Sequence, residues 1–271
     1  MSLNPKDVCL YIPPNLKKFK LELFERIGNK IVAQGGSIAR HDIDAIARLP
    51  DDVTPIIGCQ PESTDLIDGW RKTGRQWCYW DRGFFRRWFA TDPGNKAATM
   101  EASYYRWHLN GFQMRSVPKV PDDRWRSLGL NPKPWAKEGR HIVVAAPSRP
   151  YVKFHRIDGW LEETLDTLAR VTKRQLVIRH KEQVLTRPLS QDLGGAHCLV
   201  THASIAAVEA VLYGCPVFVH PDSAAALVGK TNLKEIETPI YPERQPWLNA
   251  LAHTQFNERE LVDGTLWRMI T

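Results

Sequence analysis

The stretch Cys198-Leu199-Val200-Thr201-His202-Ala203-Ser204-Ile205-Ala206-Ala207-Val208-Glu209-Ala210-Val211-Leu212-Tyr213-Gly214-Cys215-Pro216-Val217-Phe218-Val219 decides the fold. Cys198–Thr201 is a short apolar run of the kind that fills a buried strand. A polar turn follows, then an apolar helix that starts near Ser204 and stops at Gly214. Pro216–Val219 is a second buried strand. Strand, turn, helix, glycine and strand together make a parallel crossover unit.

The same alternation extends in both directions. Upstream, His141–Ala146 and Gln175–Arg179 read as strands, with an amphipathic helix over 157–172 between them. Downstream, helices are predicted over 244–253 and 258–269, the second with Asn257 as its N-cap. Near the N-terminus, Val8–Ile12, Pro55–Gly58 and Gln76–Trp80 read as strands, and helices are predicted over 15–33 and 64–73. The expected architecture is α/β: two Rossmann-like domains facing a central cleft, residues 1–136 and 137–271. The boundary is placed by four prolines between Pro118 and Pro134, which read as a linker or wrapping loop. Ligands of such sheets bind at the carboxyl ends of strands.

Composition bounds the function. The chain has 271 residues, 43% of them apolar, with 37 Lys and Arg against 30 Asp and Glu. That length suits one large domain or two of about 120–140 residues. A net charge of +7 favours anionic partners such as nucleotides, nucleic acid or acidic glycans. The longest apolar runs fall short of the roughly 18–20 residues that span a bilayer, and the N-terminus carries no apolar signal-peptide core, so a cytoplasmic location is expected. The five cysteines include no C-x-x-C pair, and four sit in or beside apolar runs as small hydrophobes. Neither G-x-S-x-G nor a Walker A motif is present.

Several residues fall where chemistry is expected. His202 and Ser204 lie where a strand gives way to a helix, and the free N–H groups and dipole there attract phosphate. Glu209, five residues on, offers a carboxylate to a ribose diol, and Gly214 permits the tight turn. Arg179, His180 and Lys181 end the 175–179 strand and offer charge to a pyrophosphate or carboxylate. Ser148 and Arg149 occupy the equivalent place after the 141–146 strand. For a general base the N-terminal half offers Asp81, at a strand end beside Arg82, and His41. Asp42-Ile43-Asp44 spells D-x-D, but it opens a helix rather than following a buried strand, so no metal is expected there.

The segment 82–126 breaks the alternation. It holds nine basic and four acidic residues, a net +5, and nine of the chain's 26 aromatics. Arginines interleaved with aromatic rings suit phosphate contact and base stacking, which nominates Arg82, Arg86, Arg87, Arg106 and Arg115 as a double-stranded DNA surface. An irregular aromatic core with a solvated arginine face is the competing reading.

The pattern His202-Ala203-Ser204, Glu209-Ala210 and Gly214-Cys215-Pro216-Val217 resembles the donor-site element of GT-B-type glycosyltransferases, closest to the capsule-polysaccharide and Kdo-type branch. The resemblance spans roughly residues 140–240. It implies that the Ser204 turn meets the donor phosphate, that Glu209 meets the donor ribose, and that His202 is their neighbour. It also implies a UDP-, GDP- or CMP-sugar as donor, bound as substrate, with no permanent cofactor. More loosely, Trp80–Phe85, Tyr104–Arg106, Asn110–Gln113 and Trp247–Glu260 resemble small glycosyltransferases of bacteriophages, some of which modify DNA. Taken together these resemblances imply transfer of a sugar to the hydroxyl of a 5-hydroxymethylpyrimidine in phage DNA. The alternatives are a polysaccharide or lipid-linked glycan acceptor, a non-catalytic nucleotide- or DNA-binding protein, and another α/β enzyme such as a sugar-nucleotide epimerase.

Overall fold

A computed structural model of the chain describes residues 3–87, 99–181, 183 and 187–270. These residues form two compact units, each built on its own sheet. The first holds residues 3–87, 99–112 and 254–270, and the second holds 113–181, 183 and 187–253. The chain therefore passes between units at Phe112 and Gln113, not at residue 136. The proline-rich stretch belongs to the second unit. It is irregular on either side of a short helix over Asp123–Leu128, and Lys133 and Ala136 donate N–H bonds to the carbonyls of Leu212 and Gly214.

The first unit begins with β1 (Val8–Ile12), α1 (Lys18–Ala33), β2 (Ser37–Arg40), α2 (Ile43–Ala47), β3 (Thr54–Ile57), α3 (Thr64–Thr73), β4 (Cys78–Arg82) and β5 (Tyr105–Leu109). Strands β1 to β4 are parallel in the order β4-β3-β1-β2, and β5 pairs antiparallel to β4. Leu23, Phe24, Ile27 and Ile31, spaced by one to four residues along α1, bury one face of that helix against Leu10, Ile12, Ile56 and Trp80. Trp80 stacks on Trp107 with centroids 5.5 Å apart, and Phe24 meets Trp80 edge-on at 4.8 Å. Truncating Trp80 would cost about 3–5 kcal/mol.

Strand β5 corrects the expectation of an irregular basic insert. Its sequence Tyr105-Arg106-Trp107-His108-Leu109 has period two: Tyr105 and Trp107 face the hydrophobic core, while Arg106 and His108 face the opposite side of the sheet and are also buried. Phe84 and Phe85 are buried too, and Trp125 is buried in the second unit. These rings pack interiors rather than present a stacking surface. Trp88 and Phe89 lie outside the described residues.

The second unit contains α4 (Asp123–Leu128), β6 (His141–Ala145), α5 (Arg149–His155), α6 (Trp160–Val171), β7 (Gln175–Arg179), α7 (Leu189–Leu193), β8 (Ala196–Thr201), α8 (Ile205–Leu212), β9 (Val217–Val219) and α9 (Gln245–Ala252). Its sheet is fully parallel in the order β7-β6-β8-β9. The central strands β6 and β8 are buried along nearly their whole length, which suits their mostly apolar sequences. Ile142, Val144, Leu168, Val200 and Phe218 form the core of one face. Helix α8 is buried from Ala207 to Leu212, which explains its apolar composition. Gly214 follows it with φ +80°, and a Cβ there would sit 2.0 Å from the Pro134 carbonyl oxygen, so glycine is required.

The chain then returns to the first unit as β10 (Gln255–Phe256), α10 (Glu258–Val262) and α11 (Thr265–Met269). Strand β10 adds antiparallel to β5 and completes a six-stranded sheet. Asn257 caps α10 in a reciprocal box with Glu260. The single helix expected over 258–269 is two, because Asp263 and Gly264 break it and Gly264 takes φ +82°. Glu258 is 1% exposed and anchors the return through Arg26 (3.0 and 3.2 Å) and Lys30 (3.4 Å) on α1. No helix among the described residues is long and apolar enough to cross a membrane.

Candidate active-site residues

In the second unit the connections from β6 to β7 and from β8 to β9 leave in opposite directions along the sheet. The boundary between β6 and β8 is thus the topological switch point, the place where ligands of open parallel sheets bind. Ser148 and Arg149 follow β6 at one side of it, and His202 and Ser204 follow β8 at the other. Ser204 is the N-cap of α8, its Oγ accepting the Ala206 N–H at 3.2 Å. Ser148 caps α5 without a side-chain bond, and Arg149 is exposed. Glu209 sits within α8, 9% exposed and five residues from the cap, about 7.5 Å along the axis.

His202 is 4% exposed and lies in an aromatic nest. Its ring stacks on His220, with centroids 4.2 Å apart and planes 12° apart. Tyr151 brings its hydroxyl within 3.1 Å of His202 Nδ1, His155 lies 6.0 Å away and Trp160 meets the ring edge-on at 6.0 Å. Burial pushes the His202 pKa down to about 4, and the imidazoles of His220 and His155 push the same way against the weaker pull of Asp222. His202 is therefore neutral near pH 7. The His220 N–H donates to the His202 carbonyl at 2.9 Å. The Asp222 N–H donates to His220 Nδ1 at 3.2 Å, so a neutral His220 carries its proton on Nε2. Arg115 holds this loop through Asp222 Oδ1 at 2.7 Å. Burial works to raise the Asp222 pKa, but the Arg115 bond and charge win and hold it below the usual range.

Sequence reading put His202, Ser204 and Ser148 directly after strands, where they lie, and did not name Tyr151, His155, His220 and Asp222 beside them. His220 carried a usable signal, since it directly follows an apolar strand. Tyr151 and His155 carried none: they matter only because α5 folds back beside the β8 turn.

Arg179 departs from its expected role. It is buried and paired with Asp192, and it also donates to the Arg187 carbonyl at 2.6 Å. Alternation along β7 turns its side chain inward. Lys181 is exposed.

In the first unit, Asp81 ends β4 opposite Arg106 on β5. Its Oδ2 accepts from Arg106 Nη2 at 2.8 Å and from the Tyr79 hydroxyl at 3.2 Å, and its Oδ1 accepts the Arg82 N–H at 2.7 Å. Burial works to raise its pKa, yet the Arg106 charge, the Arg82 N–H and the Arg82 charge prevail and lower it. The partner in the ion pair is thus Arg106 rather than the sequence neighbour Arg82. His41 is exposed, at φ +59°, at the end of β2. Sheet order puts β2 three strands from β4, roughly 14 Å at the usual spacing. The two base candidates are alternatives, not a pair. The Asp42 carboxylate caps α2 by accepting the Ala45 N–H at 2.9 Å. Among the described residues no group of His, Cys, Asp and Glu side chains is arranged to hold a metal ion.

The arginines expected to face DNA scatter. Arg106 is 5% exposed and committed to Asp81, so it is not available to a phosphate. Arg115 is exposed but bound to Asp222. Arg87 donates to the Phe84 carbonyl at 3.0 Å, and Arg82 and Arg86 are half-buried.

No family model matches the sequence, and no curated protein matches it. Several solved structures resemble the fold, two of them from one organism. The beta Kdo 2,7 transferase of Thermosulfurimonas dismutans KpsC matches over 96% of this chain and 99% of its own, with a TM-score of 0.50 and 12% identity. The beta Kdo 2,4 transferase of the same KpsC matches over 95% and 98%, with a TM-score of 0.49 and 11% identity. At these identities the likeness to the 2,7 transferase is a likeness of fold.

Proposed function

We propose that the protein is a glycosyltransferase that moves a sugar from a nucleotide-sugar donor to a hydroxyl of a polysaccharide or lipid-linked glycan. The observation that carries this reading is the fold likeness to a Kdo transferase over nearly the whole of both chains. The second unit supplies the donor side. The α8 terminus with Ser204 receives the donor phosphate, neutral His202 lies beside it stacked on His220, and Glu209 takes the ribose diol. The general base in this reading is Asp81, at the end of β4. In the reaction the acceptor oxygen bonds to the anomeric carbon while the bond to the phosphate oxygen breaks and its electron pair leaves with the nucleotide. The hydroxyl proton passes to Asp81.

A 5-hydroxymethylpyrimidine in duplex DNA is the rival acceptor, favoured by the net charge of +7. A transfer assay separates them. The protein is incubated with UDP-, GDP- and CMP-sugars and either acidic oligosaccharides or hydroxymethylated duplex DNA, and products are read by mass spectrometry. A sugar-sized gain on the oligosaccharide, lost in Glu209→Ala, is the expected result. A gain on DNA alone moves the acceptor to DNA. Nucleotide binding without transfer makes the protein a binding module, and no nucleotide binding removes the transferase reading.

A further inference from the structure

Arg106 and Asp81 form an asymmetric pair. The Arg106 side chain is 6% exposed and that of Asp81 is 35% exposed. The guanidinium lies against the rings of Tyr79 and Phe84, at 5.5 and 5.3 Å from their centroids. Its Nε and Nη1 are buried with no hydrogen-bond partner, and Asp81 is its one salt-bridge partner among the described residues. A cation sunk between two rings cannot follow a carboxylate outward. The carboxylate is therefore oriented by the arginine, not the reverse. Each carboxylate oxygen has two lone pairs. On Oδ2 both are taken, by Arg106 Nη2 and the Tyr79 hydroxyl. On Oδ1 only one is taken, by the Arg82 N–H.

We propose that Arg106, assisted by Tyr79, is a positioning residue that fixes Asp81 through Oδ2 and leaves the second lone pair of Oδ1 to take the acceptor's proton. This rests on the reading of Asp81 as the general base. The charged and titratable groups facing Asp81 are Arg106 on β5, Tyr79 and Arg82 on β4, and Cys59 after β3. Arg106 is the dominant opposite charge among them. It holds the Asp81 carboxyl below the usual carboxylate range, so the oxygen is an unprotonated acceptor near neutral pH.

The test compares wild type, Asp81→Asn, Arg106→Gln and Tyr79→Phe. Transfer is followed from pH 4 to 9, and the Asp81 carboxyl is titrated by carbon NMR in the wild type, Arg106→Gln and Tyr79→Phe. Asp81→Asn should lower kcat by about 10²–10⁴-fold. Arg106→Gln should move the acid limb of kcat/KM and the carboxyl titration upward together by about 1–3 pH units, with the donor KM unchanged. Tyr79→Phe removes one hydroxyl from a well-packed site and stays folded even if Arg106→Gln does not. It should move both readouts in the same direction by less. Activity lost in Arg106→Gln and Tyr79→Phe with neither readout shifted would show a merely structural role and overturn the proposal alone. Full activity in Asp81→Asn, or no transfer by the wild type, would instead overturn the reading on which it rests.

Discussion

The buried imidazole of His202 gives the chain a calculable sensitivity to acid. An unfolded histidine titrates near 6.5, whereas His202 in the fold titrates near 4 because of burial and the stacked and neighbouring imidazoles of His220 and His155. The folded form therefore binds fewer protons than the unfolded chain between these values. By linkage, stability is complete above about pH 6.5, falls as pH drops through the window, and levels off below about pH 4. With those two values, the loss between pH 7 and pH 4.5 is about 2–2.5 kcal/mol for this one residue. The perturbation is His202→Asn, which keeps a polar group that Tyr151 can bond and removes the titration. The assay is urea unfolding at pH 7, 6, 5 and 4.5, with wild type and variant in parallel. His108, held near 3 by burial and by the Arg106 charge, contributes equally to both and cancels. The wild type should lose about 2 kcal/mol more than the variant across that range. Superimposable pH slopes, or a His202 resonance that titrates near 6.5, would refute the argument.

Two further predictions follow from packing and capping. Glu258→Gln removes the charge that anchors the returning chain and leaves Arg26 and Lys30 facing a neutral amide. Urea unfolding should show a loss of about 3 kcal/mol, the lower end for a buried pair because Arg26 is partly exposed and can rehydrate. Ser204→Ala should cost about 1 kcal/mol of stability and Ser204→Gly only a few tenths. If Ser204 also contacts the donor phosphate, both variants should weaken nucleotide binding in calorimetry by a similar factor, whereas a purely capping role would spare the glycine variant.

Much of the parallel α/β character was legible locally. Val8–Ile12, Gln175–Arg179 and the unit from β8 to β9 lie where apolar runs and glycine stops put them. Burial on both faces makes a strand apolar throughout, and that is visible in a short window. The elements missed were short or hidden by composition: β2, α4, α5, α7 and the two-residue β10. Strand β5 was missed for a more instructive reason. Arg106 and His108 look like surface residues in sequence, and only the pairing of Arg106 with Asp81 makes its burial tolerable.

The candidate site divides the same way. A strand followed by a capped helix fixes His202 and Ser204 within a few residues, so the sequence by itself placed a phosphate-attracting terminus there. It also set the net charge and excluded a membrane-spanning helix. Only the tertiary structure decided that Tyr151, His155 and His220 gather around His202, that Arg179 turns inward to Asp192, and that Asp81 answers to Arg106 rather than to Arg82. The physical reason is reach. Capping, periodicity and turn chemistry act over a few bonds of chain, while burial and charge pairing act between side chains distant in sequence, 13 positions for Arg179 and Asp192 and 25 for Arg106 and Asp81.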